Sequence, residues 1–170
     1  ARVVVAEDQI PVTATVDPSI TFTVATTTLA LGTLSSSSIS TSGYNNITIG
    51  TNGSGGYTIS VRDDGNLTNP GLYNAGASKL ISSADATPLG TNVEGYGGQC
   101  NKLSGDGTCT FTGTGENIDG FLLAYQTFAS LGSKPAGTDT FQIRVKASIN
   151  SSTDAGSYTD TLTVVAAANF

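Results

Sequence analysis

The most reactive side chains in a chain without a single histidine are two cysteines, Cys100 and Cys109. In CNKLSGDGTC they enclose a stretch rich in Gly, Ser and Asp, a spacing that suits a disulfide clamping a hairpin or turn. A zinc centre needs two to four protein ligands, and with no His and no further Cys it has nothing to complete it. The expected disulfide implies an oxidising compartment. Lack of His also removes Ser-His-Asp, Cys-His and His-ligated metal chemistry.

Carboxylate pairs are the remaining route to catalysis, since two acids can hydrolyse a glycoside. Asp63 with Asp64, and Glu116 with Asp119, are the nearest in sequence. Asp63 and Asp64 open DDGN, where Asp and Asn favour a turn for backbone reasons, and the turn is the preferred reading. Ser78-Lys79 has the residue types of a Ser-Lys dyad but no supporting motif, and reads as a surface pair. Neither RDDGN nor SGDG supplies the alternating oxygen ligands of a calcium loop, which leaves only a looser site built from distant loops. The expectation is therefore a protein that is not an enzyme, with no catalytic, cofactor-binding or metal-ligating residues and no cofactor. Asn46, Asn52, Asn66 and Asn150 each begin an Asn-x-Ser/Thr sequon in a polar context, although about three would arise by chance in a chain this rich in Ser and Thr.

The elements that would position these residues are strands. Alternation with a period of two recurs throughout, carried by β-branched and aromatic residues. Ile20, Phe22 and Val24 alternate with Thr in ITFTV; Tyr57, Ile59 and Val61 do so in YTISVR, and Phe141, Ile143 and Val145 in FQIRVK. Turn clusters separate them: GSGG, DDGN, NPG, SGDG and KPAG. IDGFLLAYQTFASL fits a buried strand through Phe121, Leu123 and Tyr125, although its length also fits a short helix. The fold class expected is all-β: an antiparallel β-sandwich or jelly roll with an extended N-terminal strand arm.

Both ends are apolar. Residues 3–5 are Val3, Val4 and Val5, and Ile10, Val12, Ala14 and Val16 then share one side of an alternating row. At the other end Tyr158, Leu162, Val164, Ala166, Ala168 and Phe170 form a similar row. Pro11 has no ladder donor and belongs at an edge or an irregularity. Residues 1–16 therefore read as a donor-strand arm on a sandwich of residues 17–170. The alternative is that they form the first edge strand of their own sheet.

Charged residues make up 12% of the 170 residues, against about 25% in ordinary domains. The net charge of −6 and the scattered basic residues speak against nucleic acid and against an anionic membrane surface. No window approaches the roughly 18 apolar residues of a membrane span. A start at Ala1 without Met fits an exported chain whose signal was removed.

GSYTDTLTV, with Gly156-x-Tyr158-x-Asp160 and alternation to a terminal aromatic, resembles the final strand of spore-coat-U-type fimbrial subunits. The layout, an apolar arm before a hydroxyl-rich sandwich, is similar to archaeal thread and bundling-pilus subunits and to biofilm-matrix fibre proteins. That resemblance implies an extracellular, cell-surface filament in which the arm of one copy fills a groove in the next. It implies copies of the chain itself as partners in a helical homopolymer, with roles in adhesion, cell contact or biofilm, and contacts to other surface proteins or glycans. A monomeric carbohydrate-binding or adhesive module is the alternative, with Tyr44, Tyr57, Tyr73, Tyr96 and Tyr125 as stacking platforms, although Trp, the largest such face, is absent.

Overall fold

Alternation becomes strand wherever the apolar face has something to cover it. The computed structural model describes residues 9–84 and 87–170. Among these lie thirteen strands: β1 (Ile20–Val24), β2 (Ser40–Thr41), β3 (Asn45–Thr51), β4 (Tyr57–Asp63), β5 (Gly71–Asn74), β6 (Lys79–Ser82), β7 (Thr87–Pro88), β8 (Gly95–Ser104), β9 (Thr108–Cys109), β10 (Asn117–Ile118), β11 (Gln126–Leu131), β12 (Asp139–Ser148) and β13 (Leu162–Ala168). The expected all-β, sandwich-like fold is what forms, and the described residues include no helix long and apolar enough to cross a membrane.

Two antiparallel sheets carry the core. In the first, β12 pairs with β8 along one edge, and with β3 and β2 in succession along the other; β1 adds to the far side of β3. The second runs β13-β4-β11-β9, with a register shift between Thr127 and Ala129 in β11. The inward residues of the central strands are sealed: Ile47 and Ile49 of β3, Ile59 and Val61 of β4, Phe128 of β11 and Phe141 of β12 are fully buried. Each such side chain contributes about 1.5–3 kcal/mol relative to exposure, which makes this interlayer the main source of stability.

Cys100 in β8 and Cys109 in β9 form the disulfide, with Cα atoms 5.8 Å apart, so the bridge ties the first sheet to the second. With a sequence separation of 9 the closed loop is short, and loop-closure entropy alone is worth about 2.5 kcal/mol. Replacing both cysteines by Ser should lower the unfolding free energy by about that amount in denaturant titrations. A loss under about 0.5 kcal/mol would mean that the packing of the two sheets already holds β8 and β9 together.

IDGFLLAYQTFASL is not one buried strand. Within it only Ile118, the last residue of β10, and Gln126–Leu131 are strand, and the residues between them run irregularly. Phe121 is buried there, whereas Tyr125 lies exposed under the Arg62 guanidinium, 5.5 Å from the ring centre. The interruption has backbone partners on both sheets: Asp119 makes an isolated bridge to Gly98 of β8, and the Leu122 carbonyl accepts the Asp63 N–H of β4 at 2.9 Å.

Candidate functional site: an open groove and an exposed arm

β1 and β13 are the outermost strands of the two sheets on one side of the sandwich, each hydrogen-bonded along one edge only. Their sequences alternate like those of the sealed strands beside them, yet their apolar residues are at best half-buried, and Ile20 and Val24 are exposed. Whatever would complete the interlayer here is missing from the described chain. The gap is a groove of about 1040 Å³. Ile143 and Val145 line it from the first sheet, Leu162 and Val164 from the second. Leu29, Leu31 and Leu34, from the irregular stretch after β1, close part of its mouth.

The arm leads away from this region without using it. Residues 9–19 carry no strand, and Ile10, Val12 and Val16 are 86%, 90% and 82% exposed, with Ala14 exposed between them. The alternative reading, a first edge strand in the chain's own sheet, does not hold for residues 9–16. Val3, Val4 and Val5 lie outside the described residues. The arm's root is fixed. Asn52, just past β3, accepts the Ser19 N–H and donates its side-chain amide to the Asp17 carbonyl, both at 2.8 Å, and the Thr51 hydroxyl bonds the Ser19 carbonyl. At the other end of β1, Asn45 holds Thr26 in the same two-way manner. These clamps from β3 hold β1 although it has a single strand neighbour.

Under the groove lies a polar cluster that sequence reasoning passed over. Asp63 closes β4 with its side chain fully buried, and no donor forms a well-aligned bond to either of its oxygens. Asp160, on the groove wall just before β13, accepts the Tyr96 hydroxyl at 2.9 Å, the Thr161 N–H at 2.6 Å and the Gly65 N–H at 3.2 Å. Burial first, and the neighbouring Asp160 charge second, push the Asp63 carboxyl up to about 8; burial and then Asp160 likewise hold the Tyr96 phenol well above its usual range. The signal was present in the alternation, because Tyr57, Ile59, Val61 and Asp63 share the inward phase. The DDGN turn reading hid it.

The remaining candidates scatter. Glu116 and Asp119 have separate duties: Glu116 pairs with the buried Lys146 at 2.7 Å, while Asp119 accepts the Gly113 N–H. Ser78 adopts a positive φ of 53° at a turn, and Lys79 faces Asp154 at 3.9 Å. Among the described residues no cluster of three or more acids or cysteines could hold a metal ion. Of the sequons, Asn46 on β3 accepts from the Gln142 side-chain amide of β12 and Asn52 is the arm clamp; Asn66 and Asn150 organise turns through their side-chain oxygens. Tyr57 and Tyr96 are buried and cannot stack on a sugar, and Tyr44, although exposed, has the Arg144 guanidinium over one face of its ring at 4.6 Å. Compared with known proteins, the chain matches no family model and no curated sequence.

Proposed function

We propose that this chain is a structural subunit of an extracellular filament, in which Ile10, Val12, Ala14 and Val16 of one copy fill the groove beside β13 of the next. The observation that carries this reading is the coexistence, in one chain, of an exposed apolar row and an unfilled apolar groove between two open strand edges. Residues 10–16 are seven in number, as are the residues of β13, so the arm can run along the whole free edge.

Energetics favour the long form of the arm. Burying Ile10, Val12 and Val16 gives roughly 1.5–3 kcal/mol each, and three or four ladder bonds add roughly 0.5–1.5 kcal/mol each. Association costs about 4–15 kcal/mol, so that segment alone sits near balance. Val3, Val4 and Val5, if inserted too, supply the surplus. The contact is head-to-tail, so nothing closes it and it propagates as a fibre. The disulfide fits an oxidising, extracellular setting. Deleting residues 1–16 should leave a folded monomer and no fibres under the electron microscope; fibres of normal length from the truncated chain would end this reading.

A further inference from the structure

The groove has a charge problem built into its floor. Asp160 is fully served as a carboxylate by one hydroxyl and two amides, whereas buried Asp63 beside it has no well-formed donor. The amides of Gly65 and Gly71 approach Asp63 and favour its ionised form, but they are outweighed. Among the described residues, the other groups on the surrounding elements bring no compensating cation. β8 contributes Tyr96, and the segment before β13 contributes Asp160. Arg62 and Asp64 flank Asp63 in the opposite phase of β4 and pair with each other at 2.8 Å. Lys79 of β6 faces Asp154 farther along the groove wall. Two negative charges in a buried, cation-free site repel strongly, so one carboxyl retains its proton and donates it to the other.

We propose that Asp63 and Asp160 share a single proton at neutral pH, and that losing it at alkaline pH loosens the groove wall and releases the neighbouring subunit's arm. The mechanical link is short. Asp160 follows Thr159, which exchanges two backbone bonds with Tyr73 at 2.8 and 3.0 Å, and the Thr161 carbonyl accepts the Asp64 N–H at 3.1 Å. Leu162, the first residue of β13, comes next. Repulsion that displaces Asp160 therefore acts on the start of the strand edge that receives the arm. Surrounding donors are N–H and O–H groups rather than carbonyls, which suits a shared proton and not a cation.

The sign follows from linkage. Asp63 holds its proton more tightly folded than unfolded, where its carboxyl titrates near 3.9. The stabilisation is complete at acid pH and declines as pH rises from about 4 to about 8, by up to tenfold in the folding equilibrium per pH unit. Filling the groove buries the pair further, so assembled fibres bind the proton more tightly still and are lost with rising pH.

This inference rests on the filament reading, and the test separates the two. Full-length protein and its Asp63→Asn variant are taken from pH 5 to pH 9.5, following thermal unfolding of the monomer, the pelleted fibre fraction, and the infrared carbonyl band of a protonated carboxylic acid. In the wild type the melting temperature should fall from pH 5 to about pH 8, whereas the fibre fraction and the infrared band should fall together through about pH 8 and above. Asp63→Asn should flatten the first two, because its amide donates to Asp160 without titrating. The infrared band of the wild type stands even if that variant fails to fold, and its absence at pH 7 overturns the proposal. Fibres that persist to pH 9.5 while the band disappears overturn the link to assembly. A rise in melting temperature with calcium, reversed by chelator, overturns the proton in favour of a cation. Monomers that show the shared proton but never form fibres support the pair and refute the filament.

Discussion

A Val12→Asp subunit and a Val164→Glu subunit should each fail to polymerise alone, yet form discrete one-to-one pairs when mixed. Val12 is 90% exposed among the described residues, so placing a charge there should change monomer stability by less than about 0.5 kcal/mol. In the proposed contact the same charge must leave water for an apolar groove, which costs several kcal/mol and exceeds the margin estimated for the arm. Val164 lies half-buried on β13 and faces the groove, where a glutamate stays hydrated only while the groove is empty. The first variant keeps an intact groove and the second an intact arm. One productive contact exists in the mixture, and it cannot repeat. Sizing should therefore show dimers at equal stoichiometry and nothing larger, with circular dichroism confirming that each variant folds. Fibres from Val12→Asp alone, or long fibres from the mixture, would sink the head-to-tail scheme.

What the letters revealed and what they withheld divide along a physical line. Alternation is local, so the strands around Ile59, Phe141 and Val164 were legible, as was the bridge between Cys100 and Cys109, whose spacing matched a hairpin. Asp63 and Asp139 sit in the inward phase of the same alternation, with Val61 and Phe141, but the sequence reading assigned neither to the interior. Turn statistics competed with that phase at DDGN, and the turn was preferred although the structure satisfies both. Asp139 shows how an inward acid can be served: it accepts the Tyr57 hydroxyl and the Asp106 and Gly107 amides. Asp63 has no comparable set.

Strand order is a different matter. That β1 pairs with β3, and β13 with β4, follows from packing across the whole chain and not from any local pattern. The groove exists only because of that order: two edge strands distant in sequence end up on the same side of the sandwich. Ile10, Val12, Ala14 and Val16 could be read as a strand in need of an edge, but the edge itself was invisible until the sheets were assembled. The bend at residues 119–125 was hidden for the same reason, since its backbone partners are distant: Gly98, some twenty positions upstream, for the bridge from Asp119, and Asp63 for Leu122.

That bridge marks the second large effect, at Phe121. Replacing it with Ala should cost about 3–5 kcal/mol and lower the melting temperature by roughly 6–20 °C. Its ring is buried between Tyr96 and Phe111, each 5.6 Å away centre to centre, and Phe111 continues the aromatic row to Phe128 at 5.3 Å. Gly98 lies directly beneath: a Cβ there would collide with the Phe121 ring, so the glycine is small because the phenylalanine is large. Gly98→Ala should itself destabilise by about 1–3 kcal/mol through overpacking. The two positions share one volume, so the double variant should cost less than the sum of the singles, the new methyl occupying part of the vacated space. Strict additivity in urea titrations would show that the ring and the glycine do not determine each other. Tyr96 is the point where this row meets the groove, its ring against Phe121 and its hydroxyl on Asp160, so loss of the ring should also free Tyr96 and weaken fibre assembly at temperatures where the monomer remains folded.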